Sequence, residues 1–314
     1  MLLADAEHFV RAPDWTWYIL FYFFLAGLSG GSYAIATMQR LTGKDNDGAA
    51  RVGFYVSFVA LLGCPVLLTL DLGQPLRFWH MLVNTTPGDE GPIFKYWSPM
   101  SVGAWALVAF GVFATISFGE SLIRDRVLRL GLTDALVKVL NGVPGKLFTI
   151  VGAVLGLFVA GYTGVLLAVS NQPVWSDSWA LGGLFLASGL SGSAALIGWL
   201  AGRRRDAAIS SPGLARGERY FQLLELVLIG LFVVTLIPTG SLQRAFGFPW
   251  TLLWVGAGIG LLIGLLGLGA RPRDVSTVDG QAVVRERSMA ALIPVTLVLL
   301  GILALRAAII FSAQ

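Results

Sequence analysis

With 314 residues, of which 56% are hydrophobic and 13% charged, and a mean hydropathy of +0.76, the chain is too apolar for a water-soluble globule of its length. A formal charge of +4 and a pI near 9.4 would suggest nucleic acid in a soluble protein. Here the basic residues fall in short loops between apolar runs, where they orient a chain in a bilayer, so no nucleic-acid function is read from them.

Residues 1–15 set Asp5, Glu7 and Asp14 against Arg11, unlike the basic start of a signal peptide, and the apolar run that follows is long enough to span; it is read as a helix of the mature chain. Eight segments approach the length of about 20 residues that a hydrocarbon core of ~30 Å demands. They fall at roughly 16–38, 52–72, 98–122, 146–169, 179–200, 219–240, 250–268 and 290–311. Backbone in lipid must satisfy its own hydrogen bonds, and strand-type alternation is absent, so these are helices. The prediction is an all-α integral membrane protein with eight transmembrane helices in two four-helix bundles. Residues 1–145 and 146–175 make the first bundle, with an outer loop at 73–97, and residues 176–314 make the second.

The loops after the first, third, fifth and seventh segments, with Lys146 and Arg219 at the segment ends that border them, hold 17 of the 22 basic residues, Arg203, Arg204, Arg205, Arg285 and Arg287 among them. The N-terminus and the remaining loops hold Arg11, Arg77, Lys95 and Arg244. The positive-inside rule therefore puts both termini and the 73–97 loop on the non-cytoplasmic side. An internal repeat pairs GLSGGSYA from Gly27 with GLSGSAAL from Gly189, and TLDLG from Thr69 with TLIPTG from Thr235, at nearly equal separations. Two halves of the same orientation would follow. Small-residue patches also recur in any packed membrane helix, which is the plainer explanation.

The stretch from Leu70 to Trp105 carries Asp71, Arg77, His80, Asp89, Glu90 and Lys95 among prolines, glycines and tryptophans, more chemistry than a simple turn needs. His80 could exchange protons near neutral pH or stand as a solvated loop histidine. Asn84-Thr85-Thr86 fits a glycosylation sequon, a match too short to weigh. Ionisable groups at membrane depth cost about 2.5–3.5 kcal/mol each, so Asp71, Glu120, Glu225 and Arg306 call for partners or a purpose. Asp71 and Arg306 both fall toward outer helix ends and could pair; simple interfacial roles are the alternative. Tyr162 lies ~24 Å along its helix from Lys146, with Gly161 and Gly164 clearing space and Thr163 adding a hydroxyl. On the inner side Glu120 and Glu225, with Tyr162, Thr163, Asp71 and helix serines, could line a polar route part-way across.

The single cysteine, Cys64, beside Pro65 in an apolar run, reads as packing and supports no zinc or iron–sulfur cluster. The two histidines, His8 and His80, both fall outside the segments, which removes the axial ligands of a bis-histidine haem.

LDLGQPLRFW, SPMSVGAW, GYTGVLL and the opening GLSGGSY together resemble the NrfD/polysulfide-reductase membrane-subunit family, most clearly over residues 15–175. The resemblance implies a haem-free subunit of the bacterial cytoplasmic (inner) membrane, passing electrons between a quinone (ubiquinone or menaquinone) and an iron–sulfur subunit. That subunit would dock near loop 73–97 and serve a molybdopterin enzyme or a multihaem cytochrome. It also implies that Asp71 and Tyr162 lie near the quinone head group. Thr163, Trp17 and Arg77 join them as candidate head-group contacts, His80 as a proton relay, and Glu225, Glu120 and Arg306 as a proton path. Some members use a histidine and an asparagine of the first helix; here that helix offers Trp17, Tyr18, Tyr22, Ser29, Ser32 and Tyr33 instead. A secondary transporter or ion carrier, and a plain membrane anchor, are the competing readings.

Overall fold

The computed structural model describes residues 13–42, 48–127, 140, 142–204, 211–267, 275–278, 281–284 and 292–314. Seven helices among them are long and apolar enough to cross a membrane. They are α1 (Trp17–Thr42), α2 (Gly48–Asp71), α3 (Pro99–Arg124), α4 (Val143–Ala168), α5 (Leu181–Ala201), α6 (Ser211–Thr239) and α9 (Leu292–Ser312). Between α6 and α9 come the short α7 (Leu242–Phe246) and α8 (Trp250–Leu265). Two small antiparallel hairpins, β1 (Val83–Asn84) with β2 (Gly91–Pro92) and β3 (Val275–Val278) with β4 (Gln281–Val284), lie between spans.

The segment expected at 250–268 is shorter than a spanning helix. Helix α8 has 16 residues, about 24 Å at the helical rise, because the backbone turns at Leu266 and Gly267. Gly267 takes φ +64°, a left-handed conformation that ends a helix cheaply only at glycine. At the start of α3, Ser98 caps the helix by accepting from Ser101 N, and Pro99 occupies the first turn, where a missing N–H costs nothing.

Helices α1 and α5 form the centre and are mostly buried, whereas α3 and α6 leave most of their surface exposed. Lipid tails are as apolar as the helices, so tight backbone approach must hold such a centre together. The two repeated glycine patches meet each other. A Cβ on Gly31 would lie 2.8 Å from the carbonyl oxygen of Gly189, and one on Gly189 would lie 2.8 Å from that of Gly27. Ser193 Oγ donates to Leu28 O at 3.0 Å across the same seam. Positions four apart on α1 meet positions four apart on α5, so the two helices run parallel and in register. On its other side α1 approaches α4, where a Cβ on Gly30 would overlap the carbonyl of Gly156.

One end of the helix array is strongly ionic. Arg40 of α1 and Arg124 both bond Glu120 of α3, Arg124 Nη2 at 2.8 Å. Next to it Asp125 receives Arg51 Nε of α2 at 2.7 Å, both terminal nitrogens of Arg204 at 2.7 Å, and the Tyr55 hydroxyl at 2.7 Å. These contacts tie α1, α2 and α5 to the end of α3. Of the other basic residues used in the orientation argument, Arg11, Lys44, Arg129, Lys138, Arg205, Arg271, Arg273, Arg285 and Arg287 lie outside the described residues, as does His8 of the haem argument. The opposite end carries Asp71, the start of α1 and the 72–98 loop.

Candidate functional site

The loop that leaves α2 begins with a 3₁₀ helix, Pro75–Met81, followed by the β1–β2 hairpin. Three residues per turn put Arg77 and His80 on one face of that helix and Phe78 with Met81 on another. Farther along, Trp105 Nε1 donates to Ile93 O at 2.8 Å, which fixes the end of the loop to α3.

Under this loop lies a cavity of about 160 Å³ walled by α1, α2, α3 and α4. An apolar cavity of roughly 150 Å³ holds a benzene ring, so the space suits one six-membered ring. Trp15, Ile19, Phe23, Leu68, Met81 and Met100 supply apolar wall, and Tyr22, Asp71 and Tyr162 supply the polar groups. Asp71 and Tyr162, far apart in sequence, thus come to one space. They reach it because α2 ends and α4 approaches its end at the same level.

Asp71 is half-buried and accepts from Thr16 Oγ1 at 3.3 Å. Tyr162 donates to Pro99 O at 2.5 Å and stacks on Phe158 at 5.8 Å. Its ring lies against Gly103, where a Cβ would come within 2.4 Å of the phenol. Tyr22 is 4% exposed and lines the cavity, and its hydroxyl has no hydrogen-bond partner among the described residues.

The other candidates lie elsewhere. Trp17 is exposed and sets its ring against Phe311 at 5.2 Å. Two residues on a helix turn through about 200°, so Ile19, which lines the cavity, and Trp17 face opposite ways. Thr163 is buried and donates to Ala160 O of its own helix at 2.9 Å. Arg77 and His80 are exposed on the loop, His80 with its ring edge on Trp79 at 4.1 Å.

Arg306 is fully buried, yet it does not reach Asp71. Its guanidinium bonds the carbonyls of Phe23 and Phe185, the latter at 2.8 Å, and Ser188 Oγ at 3.1 Å. Gly27 leaves the room, since a Cβ there would come 2.5 Å from Nη2. Glu225 is buried and meets Ser191 Oγ at 2.9 Å. Glu120 sits apart from both, between Arg40 and Arg124 at the ionic end.

Sequence reasoning did not single out Trp15, Met81, Met100 or Gly103. Met100 and Gly103 stood inside the quoted SPMSVGAW motif, and Tyr22 among the residues of the first helix. Nothing local marks Trp15 and Met81, which matter only through the faces they present.

The protein matches the family model described as Polysulphide reductase, NrfD, over residues 6–314. It is 27% identical to a polysulfide reductase chain of Wolinella succinogenes over 96% of its own length and 94% of that relative. It is 30% identical to a protein NrfD homolog of Haemophilus influenzae over 80% and 81%. To a selenate reductase subunit of Mesobacillus selenatarsenatis it is 25% identical over 80% of its own length and 65% of the relative. With seven apolar helices of spanning length and a family match over nearly its whole length, this multi-pass membrane protein belongs to the NrfD polysulphide-reductase family.

Proposed function

We propose that the protein is the haem-free, quinone-reactive membrane subunit of a respiratory oxidoreductase in a bacterial inner membrane. It would exchange electrons between ubiquinone or menaquinone and an iron–sulfur partner, which serves a molybdopterin enzyme or a multihaem cytochrome. The observation that carries this reading is the ring-sized cavity in which Asp71, Tyr162 and Tyr22 meet apolar walls. Ligand sites have this composition, mostly apolar with a few convergent polar groups.

A bound quinone supplies the redox chemistry; the protein supplies orientation and proton handling. The unpartnered Tyr22 hydroxyl donates to a head-group oxygen. Tyr162 already gives its proton to Pro99 O, so its oxygen is placed to accept one from a head-group hydroxyl. Asp71 at the cavity takes up or returns the proton that accompanies electron transfer, with His80 on the loop as the relay to water. Electrons pass to the partner, since one cysteine cannot hold a cluster. Two relatives whose names make them components of a reductase support the idea of partner subunits.

The exposed Leu76, Phe78, Phe94, Tyr96 and Trp97 of the loop support docking of that partner over residues 73–97. The ionic end, by the positive-inside rule, is cytoplasmic, which puts both termini and the loop outside. The in-register meeting of the Gly27 and Gly189 patches supports two related halves, residues 1–175 and 176–314. A carrier would call for helices broken at matched midplane positions, but Pro65 and Pro238 lie toward the ends of α2 and α6, which are continuous up to them.

In the assembled complex Asp71→Asn is expected to abolish quinone-linked turnover while the partner subunits still co-purify. Tyr162→Phe is expected to weaken binding of a quinone analogue roughly fivefold, the worth of about 1 kcal/mol for one hydrogen bond. Full turnover in Asp71→Asn would overturn the assignment.

A further inference from the structure

Helix α3 ends in a turn that carries arginine where glycine is usual. The N–H of Arg126 donates to Ile123 O at 2.9 Å and that of Val127 to Leu122 O at 3.0 Å, the two bonds of a Schellman motif. That motif needs a left-handed backbone at its turning residue, and Arg126 supplies it with φ +58°. Glycine adopts this conformation freely, whereas any side chain crowds its own carbonyl there. A cation does suit the negative end of a helix, but Arg124, Arg51 and Arg204 already stand there. Strain kept at a non-glycine residue points to a use for its side chain.

The Arg126 side chain is exposed and has no hydrogen bond or ion pair with any described residue. Beside it, Asp125 holds Arg51, Arg204 and the Tyr55 hydroxyl, and Glu120 holds Arg40 and Arg124. Among the described residues, five guanidiniums thus surround two carboxylates at this end of α3. The surplus is positive, and an anion complements it.

Two features favour a lipid over a soluble anion. Val127, next to Arg126, is 71% exposed, so an apolar side chain and a free charge sit together where a spanning helix leaves the hydrocarbon core. The seam between α2 and α3 that begins at this end is also open. Phe118 of α3 stacks on Phe58 of α2 at 4.2 Å and meets Tyr55 edge-on at 5.6 Å. Two turns along the same side of α3, a Cβ on Gly111 would meet only Leu61, at 3.9 Å. Leu62, one turn on from Phe58, and Val112, beside Gly111, are exposed. The missing side chain leaves a shallow apolar furrow, the shape that an acyl chain fills.

We propose that the ionic end of α3 binds one anionic phospholipid. Arg126 holds its phosphate, and an acyl chain follows the furrow between α2 and α3. The charges of Arg51 and Arg204 select a head group of net negative charge, because the ammonium of a zwitterionic one would be repelled. The site goes beyond the quinone reading: it lies at the other end of the helix array from the candidate cavity, and it holds for either orientation of the protein in the bilayer.

The full-length protein, delipidated in mild detergent, is titrated with phosphatidylglycerol or with phosphatidylcholine of the same chains and read by Tm and by native mass spectrometry. Phosphatidylglycerol is expected to raise Tm and to give a single-lipid adduct, with about fivefold tighter binding than phosphatidylcholine, the worth of one arginine beside an anionic head group. Without lipid, Arg126→Gly is expected to unfold at a higher Tm than the unaltered protein, because the strain is gone, yet to lose the preference for phosphatidylglycerol; Arg126→Lys is expected to keep it. Gly111→Leu fills the furrow, so it is expected to weaken binding of dioleoyl phosphatidylglycerol and to leave that of the dihexanoyl lipid unchanged. No preference in the unaltered protein, an undiminished one in Arg126→Gly, or a lower lipid-free Tm in that variant would overturn the proposal. So would unchanged dioleoyl binding in Gly111→Leu, or an equal rise in Tm with inorganic phosphate or a soluble acidic peptide.

Discussion

Replacing Gly103 with alanine tests the candidate quinone site where it is tightest. The new Cβ would lie 2.3 Å from Cζ and 2.4 Å from the hydroxyl oxygen of Tyr162. Carbon atoms need ~3.5–4.0 Å, so the ring must retreat by about 1 Å or more. Phe158 stacks on that ring at 5.8 Å and limits its retreat, and the cavity offers the free volume. The move breaks the hydrogen bond to Pro99 O. Overpacking costs roughly 1–3 kcal/mol and the lost bond about 0.5–1.5 kcal/mol more. A ring displaced into the cavity also takes space from a ligand, and each 1.4 kcal/mol lost from binding is about tenfold in affinity. The expected result is a lower Tm together with at least about tenfold weaker binding of a quinone analogue, read by quenching of tryptophan fluorescence, to which Trp15 in the wall contributes. Adding Tyr162→Ala removes the clash, so the double variant is expected to regain part of the Tm lost in Gly103→Ala. Unchanged analogue affinity in Gly103→Ala would refute the reasoning that Tyr162 and the cavity form one site.

Two further outcomes concern the ionic end. Glu120→Gln leaves Arg40 and Arg124 beside an uncharged amide, and breaking a buried pair in this way costs about 3–5 kcal/mol. Thermal unfolding is expected to show a clear loss of Tm; an unchanged Tm would mean that the pair does not hold α1 to α3. Burial alone would raise the Asp125 carboxyl, but the hydrogen bonds from Arg204 and Tyr55 and the charge of Arg51 outweigh it and hold Asp125 below the usual carboxylate range. A lowered value adds stability above the unfolded pKa, near ~3.9, and loses it as pH falls through the folded value. Tm is therefore expected to drop on acidification below about pH 4, more steeply than in Asp125→Asn, which starts from a lower Tm at neutral pH. Identical slopes in the two proteins would exclude Asp125 as the group responsible.

Hydropathy located the spanning helices because it is a sum over neighbours in sequence, and the cost of apolar surface in water is likewise local. The motifs around Asp71 and Tyr162 carried the family for the same reason: they are short and contiguous. The 250–268 segment shows where that logic stops, since the apolar count continues through Gly267 while the backbone turns there. Which faces meet was decided only by the tertiary structure. Sequence placed Trp17 beside the first-helix candidates, but the rotation of α1 turns Ile19 and Tyr22 into the cavity and Trp17 away. It flagged Arg306 as a costly charge without showing that two backbone carbonyls and Ser188, not Asp71, would receive it. It grouped Glu225 with Glu120, but the structure gives Glu120 to Arg40 and Arg124 at the ionic end and Glu225 to Ser191 of α5. The chemistry of each side chain is written in the sequence, but its partners depend on helix rotation and depth, which follow from how closely glycine-bearing faces such as those of α1 and α5 approach.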